Sequence, residues 1–220
     1  MKKTVPPPQT ARARKPRGRP RAFDRDQALD QAMDVFWEKG FEAASLADLT
    51  KAMGINPPSL YAAFGDKERL FLEAVERYVS RRSESCDYCK EPTARESVRK
   101  LLAYVAEEMT DSAHPHGCLM MMAATTTTAA SPQLQAAVAK LRASSRNKLR
   151  ERIARGVAEG ELPADTDCAA LAAFYGTVLA GMAAMAHDGA TRKTLLGTVE
   201  TAMRSWPEKD RRAARAKVAA

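Results

Sequence analysis

Apolar residues recur along most of the chain at spacings of three and four, the period of an amphipathic helix, and no alternating apolar/polar run of convincing length interrupts them. The pattern predicts an all-α chain. The first periodic segment opens at Asp24, a residue suited to cap a helix running to about Lys39, with Ala28, Leu29, Ala32, Val35 and Phe36 on one face and Gly40 as its stop. Ser45-Leu-Ala-Asp48 reads as a capping box with Asp in place of the usual Glu, and the helix it opens ends at Met53-Gly54. Asn56 precedes Pro57-Pro58, which bias it towards the extended backbone an N-cap needs and remove the first two N–H donors, so its side chain is left to cap Ser59. That third helix ends at Phe64-Gly65. Asp66 caps a fourth, with Leu70, Phe71, Ala74, Val75 and Tyr78 in one stripe. A looser stretch at 86–92 follows. Further helices are expected at about 93–110 and, after a Gly/His/Pro loop at 111–117, at about 118–130. A long helix opens at Ser131-Pro132 and stops at Gly160, one from Pro163 and Asp165 or Asp167 runs to about His187, and a last covers about 191–205.

Charge divides the chain. The net charge is +8, and residues 1–22 hold eight Lys or Arg and no acid, leaving 27 basic against 27 acidic residues in the remainder. A neutral body with a basic arm points to a nucleic-acid partner, the alternative being a solvated tail. The expected organisation is a disordered basic arm at 1–22, a DNA-binding unit at 23–68, a helical sensor and dimerisation domain at 69–208 and a disordered tail at 209–220.

Residues 45–64 suit a helix-turn-helix. Ala47 and Ala52 are small enough for a steep crossing, Gly54 permits the turn, and Leu46, Leu49, Met53, Ile55 and Leu60 supply core. The third helix then offers its exposed face to a major groove. The run Leu60-Tyr61-Ala-Ala-Phe64-Gly65-Asp66-Lys67-Glu68-Arg69-Leu70, with the lead-in Ala32, Phe36, Gly40-Phe41 and Ser45-Leu46, strongly resembles the signature of the TetR family over about residues 24–72. The resemblance implies an all-helical protein with a helix-turn-helix and a ligand-binding domain of variable sequence, dimerised through its last two long helices. It further implies phosphate contacts by Tyr61 and Lys67 and a cap near the DNA backbone at Ser45. Asn56, Pro58, Ser59 and Ala62 face the groove on this reading, and with two prolines there Ser59 is the main hydrogen-bonding side chain.

Within the arm, Arg17-Gly18-Arg19-Pro20 looks like an AT-hook core. Glycine permits deep entry into a narrow minor groove, proline keeps the chain extended, and Arg17 and Arg19 follow the negative potential of A·T tracts. Nonspecific counterion release by a flexible tail is the other reading.

The sensor half leaves more open. His114-Pro115-His116-Gly117-Cys118-Leu119-Met120 resembles a Gly-Cys-Leu segment found in a branch of the family that answers copper, electrophiles or oxidants. Cys118, after a glycine at an expected helix start and near two histidines, reads as a reactive thiol or as a small core residue. Cys86 and Cys89 with His114, His116 and Cys118 offer enough soft donors for Cu(I) or Zn, although a lone Cys-x-x-Cys lacks a second half at recognised spacing. The third reading is an apolar pocket lined by Tyr104, Met120, Met122, Phe174, Tyr175, Met182 and Met185, residues that also simply fill cores. Gly176 and Gly181 among alanines suit close helix approach, which the family resemblance assigns to an isologous dimer.

No phosphate-binding glycine loop, His-Glu-x-x-His or Gly-x-Ser-x-Gly is present, so an enzyme is not expected, nor is a bound cofactor. The apolar run at 169–186 is broken by glycines and rich in alanine, so no membrane span is expected. The cysteine usage suits a reducing cytoplasm. The resulting expectation is a homodimeric repressor on double-stranded DNA, released from a palindromic operator by a small molecule, metal or thiol-modifying signal. An activator of the same fold and an architectural A·T-binding protein are the alternatives.

Overall fold

The computed structural model describes residues 23–208; the arm with Arg17 and Arg19, and the segment 209–220, lie outside the described residues. Nine α-helices and one 3₁₀ turn, with no strand, make up the described residues: α1 (Arg25–Ala43), α2 (Leu46–Ala52), α3 (Pro57–Phe64), α4 (Lys67–Ser85), a 3₁₀ turn (Tyr88–Lys90), α5 (Ala94–Glu108), α6 (Leu119–Thr125), α7 (Pro132–Ala158), α8 (Cys168–His187) and α9 (Arg192–Met203).

Most of these helices start where a short polar side chain satisfies orphan N–H groups. Asp24 accepts from Asp26 and Gln27, Asp66 from Arg69, Thr93 from Glu96, Ser131 from Leu134, Asp167 from Ala169 and Ala170, and Thr191 from Thr194. Ser45 and Asp48 complete the expected capping box, and Asn56 caps the Ser59 N–H.

α1 packs on α2, α4 and α6, while α5 and α7–α9 form the distal half. The buried apolar side chains join in one cluster from Ala28 to Trp206. In the proximal half Phe36 meets Phe71 edge-on with centroids 4.9 Å apart, and Phe41 lies 5.0 Å from Phe71. Met33 and Trp37 join the expected face of α1, whereas Val35 is only half-buried. In the distal half Leu102, Met109, Leu119, Ile153, Leu162, Tyr175 and Met182 are fully buried.

Four expectations change. Gly40 does not end α1: its φ of +76° kinks the chain, which resumes helical structure to Ala43. Glycine is required there twice over, because a Cβ would lie 2.6 Å from Thr126 Cγ2. The expected helix at 118–130 is only seven residues long. It stops in the run Thr125–Thr128, where β-branched side chains crowd the helix and the Thr126 and Thr127 hydroxyls donate back to the Met122 and Ala123 carbonyls at 2.7 and 2.8 Å. Gly176 and Gly181 do not interrupt α8. By length and composition alone that 20-residue helix is apolar enough to cross a membrane, contrary to the reading of a broken run. Much of it lies on the surface: Ala169, Ala170, Ala173, Phe174, Gly181 and Met185 are exposed. α4 also runs unbroken across the boundary expected at 68/69.

Candidate DNA interface and sensor cluster

The turn between α2 and α3 sets Leu60 and Phe64 in the core and leaves Asn56, Pro57, Pro58, Tyr61 and Ala62 outside, with Ser59 half-buried. Tyr61 is 47% exposed, a large aromatic side chain standing outside the core that Leu60 and Phe64 enter. The Asn56 side-chain oxygen is engaged by the Ser59 N–H at 2.9 Å. The Ser45 hydroxyl accepts the Asp48 N–H at 3.0 Å and donates to its carboxylate at 2.6 Å. Lys39 reaches the same carboxylate at 2.8 Å, and the hydrogen bonds from Lys39 and Ser45 hold Asp48 well below the usual carboxylate range.

Lys67 lies half-buried over the Phe41 ring, 4.7 Å from its centroid, with Nζ 3.4 Å from the Glu42 carbonyl. Burial lowers its pKa, partly offset by the Glu42 charge. Sequence reasoning missed Arg25, which anchors the candidate recognition helix from behind. It donates to the Ala63 carbonyl at 3.2 and 3.3 Å, pairs with Glu73 at 2.7 Å and stacks over Phe64 at 4.3 Å. Its partners lie 38 and 48 residues away, so no local pattern announces them.

In the distal half Cys118 is the N-cap of α6 and makes no side-chain cap. Its surroundings come from other helices. The Tyr78 hydroxyl donates to Cys118 Sγ at 3.3 Å, and Arg82 Nη1, on the next turn of α4, lies 3.6 Å from the same sulfur. Arg82 also bonds to the Tyr78 oxygen and pairs with Glu108, the last residue of α5, at 3.3 Å. Burial together with the Cys118 and Glu108 charges pushes the Tyr78 hydroxyl far above its ordinary pKa. Burial works against the charge on Arg82, but the fields of Tyr78, Cys118 and Glu108 outweigh it and raise its pKa. Burial raises the Glu108 carboxyl against the opposing pull of Arg82. So the electropositive partner of Cys118 is Arg82, not the neighbouring histidines. His114 stacks on Trp37 with centroids 4.5 Å apart, and His116 is exposed.

Among the described residues no group of three or more His, Cys, Asp or Glu is arranged to hold a metal ion, so Cys86, Cys89, His114, His116 and Cys118 are not gathered into a site. The cysteines are all free, Cys86 and Cys118 buried, Cys89 and Cys168 half-buried. The other candidate lining residues also part company. Tyr175 and Met182 are fully buried, Tyr104, Met120 and Met122 are half-buried, and Phe174 (41% exposed) and Met185 (37%) face outward. The Tyr175 hydroxyl donates to the Ala202 carbonyl at 3.3 Å, and burial pushes its pKa up to about 12. Two clefts open on either side of Phe174, one lined by Pro163, Thr166, Ala170 and Leu171, the other by Val178, Thr194, Gly197 and Thr201.

The two halves meet at the far end of α6. Thr126 Oγ1 accepts the Phe41 N–H at 3.0 Å beside the Gly40 kink. Glu42 accepts from the Thr128 hydroxyl and the Ala129 N–H, each at 2.9 Å; these bonds lower its carboxyl pKa. The Ser131 N–H donates to Glu68 at 2.8 Å. A short helix thus touches α4 through Cys118 at one end and, at the other, the backbone that Lys67 also contacts.

Residues 28–74 match the family model "Bacterial regulatory proteins, tetR family", and residues 94–206 match "Tetracyclin repressor-like, C-terminal domain". The HTH-type transcriptional repressor ComR of Escherichia coli is 36% identical over 198 residues, covering 89% of this chain and 94% of ComR. The repressor BdcR of the same organism is 30% identical over 187 residues, covering 84% and 90%. A solved structure of a cysteine mutant of the TetR-family regulator CifR, complexed with 26-base-pair operator DNA, is 50% identical with a TM-score of 0.82, covering 86% of this chain and all of that one. E. coli NemR in its reduced form, 16% identical with a TM-score of 0.72, shares the fold. Matches to both halves, on a helix-turn-helix joined to a helical distal domain, establish that this chain belongs to the TetR family of bacterial regulatory proteins.

Proposed function

We propose that the chain is a homodimeric transcriptional repressor acting in the cytoplasm. It binds a palindromic operator through α3 and leaves it when Cys118 is modified. The observation that carries DNA binding is the outward face of α3, where Tyr61 stands exposed on a helix fixed from behind by Arg25. The CifR complex with operator DNA and the repressor names of ComR and BdcR support it.

Tyr61 and Lys67 supply phosphate contacts, with Lys67 lifting off Phe41 to do so. Ser45 holds the start of α2 near the backbone. Asn56, Pro58, Ser59 and Ala62 face the bases, and Ser59 is the main hydrogen-bonding side chain, since the Asn56 oxygen is already engaged in capping α3. Arg17 and Arg19 of the arm add minor-groove contacts. The exposed small-residue face of α8 pairs with a second copy, setting two recognition helices about 34 Å apart, one turn of B-DNA.

Release is a population shift. A change at Cys118 alters how α6 sits against α4; α6 carries it to Gly40, Phe41 and Glu42, and α4 carries it to Lys67. The thiol reading is favoured over an apolar pocket because Cys118 touches Tyr78 and Arg82, whereas Tyr175 and Met182 are fully buried in the core and Phe174 faces outward.

The test is fluorescence anisotropy with labelled DNA from upstream of the protein's own gene, and with DNA selected from a random pool. Tight, saturable binding to one short palindrome is expected, with affinity falling about tenfold or more in Tyr61→Ala, the size of one hydrogen bond to a charged group. Failure to select any palindrome overturns the reading.

A further inference from the structure

The start of α5 holds a buried cation that its surroundings do not fully meet. The Arg152 side chain, on α7, is only 1% exposed. Its Nε donates to the Ser97 hydroxyl at 2.7 Å and its Nη2 to the Glu91 carbonyl at 3.1 Å, but Nη1 is buried with no hydrogen-bond partner. The carboxylate paired with it, Glu161, has Oε1 3.9 Å from Nη2, too far for a hydrogen bond. Glu161 Oε2 instead accepts the N–H of Ala94, the first residue of α5. A helix N-terminus of this length favours an anion there. α7 also leaves room for one: a Cβ at Gly156 would lie 3.1 Å from Glu161 Oε2 and 2.6 Å from the Ala94 Cβ, so only bare backbone fits beside the carboxylate. The Glu161 backbone is held separately. Its N–H donates to the Gly156 carbonyl at 2.8 Å and the Gly160 N–H to the Val157 carbonyl at 3.0 Å, the Schellman pattern that ends α7. The Glu161 side chain, 20% exposed, is therefore free to swing into water while its backbone stays. Arg152 has no such freedom, because Ser97 and Glu91 fix it.

We infer that the start of α5 is a binding site for a small carboxylate ligand, with Arg152 as its cation and Glu161 as an internal carboxylate that the ligand displaces. The chemical class follows from the present occupant, which already presents a carboxylate to the Ala94 N–H. A ligand not tethered to α7 keeps that bond with one oxygen and moves the other close enough to engage Arg152 Nη1, a bond that Glu161 does not make. Completing the hydrogen bonds of a buried guanidinium, with a charged partner, is what favours the ligand over Glu161. The seat beside Gly156 has the width of one carboxylate, so the ligand is short or offers its carboxylate at one end. The site is separate from Cys118: Glu108, the member of that cluster on α5, lies 14 residues along the helix from Ala94, about 21 Å at 1.5 Å per residue. Arg155, next to this seat on α7, holds the Cys89 carbonyl at 2.8 Å, so a ligand bound here bears on the turn that joins α4 to α5.

The experiment follows the Ala94 backbone amide by NMR in the isotope-labelled full chain, titrated with sodium acetate at constant neutral pH and with ionic strength held by sodium chloride. A saturable shift of Ala94 is expected with acetate and none with chloride alone or with acetamide, which has the shape without the charge. Glu161→Gln, which keeps the side chain but loses the competing charge, is expected to bind acetate about tenfold more tightly. Arg152→Lys, which keeps the charge but loses the fork, is expected to bind it about tenfold more weakly. Should Arg152→Lys fail to fold, the wild type and Glu161→Gln decide between them. An Ala94 amide that answers acetate no differently from chloride in the wild type would make Glu161 a permanent cap of α5 and overturn the inference. So would Glu161→Gln binding acetate no more tightly than the wild type, because the ligand and Glu161 would then not share a seat.

Discussion

Residues 45–64 hold two short helices and residues 111–131 hold one, and the two regions are held in opposite ways. α2 and α3 are started from within, although Arg25 and Lys39 of α1 also reach them, at the Ala63 carbonyl and the Asp48 carboxylate. Ser45 caps Asp48 three residues on, Asn56 caps Ser59 three residues on, and Pro57 fixes the first turn. α6 is specified from outside. Its N-cap, Cys118, caps nothing, and the segment is placed by Tyr78 and Arg82 at one end and by Gly40, Phe41 and Glu42 at the other. A locally capped module keeps its shape when its neighbours move, which suits a part that must match DNA. A helix held by distant contacts changes position when one of them changes, which suits a part that must report.

The largest effect that probes this contrast is expected at Gly40→Val. A β-branched residue at φ +76° is strained, and its Cβ would collide with Thr126, so unfolding free energy should fall by about 3 kcal/mol or more in urea titration. A loss under about 1 kcal/mol would mean that the α1–α6 junction is loosely held and the contrast overstated. Ser45→Ala should cost about 1 kcal/mol by the same measurement, the worth of one cap, because the rest of α2 stays locally specified. A change as large as that at Gly40 would show that α2 too depends on distant support.

The smallest expected effect is of pH. Asp30 on α1 receives Arg77 and Arg81 from α4. Burial alone would raise its carboxyl pKa, but those hydrogen bonds and charges pull it below the ordinary 3.8. A depressed carboxyl contributes stability that is present above its unfolded pKa and lost as pH falls through the folded one. Thermal unfolding should therefore show a modest loss beginning near pH 4 and deepening below it, reduced in Asp30→Asn. Equal acid sensitivity in that variant would place the titrating groups elsewhere.

The same contrast explains what the amino-acid pattern disclosed. Helix starts were legible where a Ser, Asn or Asp caps a backbone N–H two or three residues on, as at Asp24, Ser45, Asn56, Asp66 and Ser131, because cap and target are covalently close; at α8 two aspartates, Asp165 and Asp167, competed and Asp167 is the cap. The exposed face of α3 was legible for the same reason. The Cys118 surroundings were not: Tyr78 and Arg82 lie 40 and 36 residues away, and the nearby histidines, the natural partners on sequence grounds, turn to Trp37 and to solvent. The length of α6 was misjudged because an apolar run looks helical until its threonines are seen bonding back to the preceding turn. The outward positions of Phe174 and Met185 were hidden because a helix apolar nearly all round gives no period by which to choose its buried side.

That helix, α8, has a consequence for how the cell reads this protein. On the proposed pairing of α8 with a second copy, the chain counts its own molecules. Below the dissociation constant for pairing, the paired form grows as the square of chain concentration. A halving of synthesis would then cut the paired form about fourfold, and a gene held silent at one expression level would open at another with no chemical signal at all.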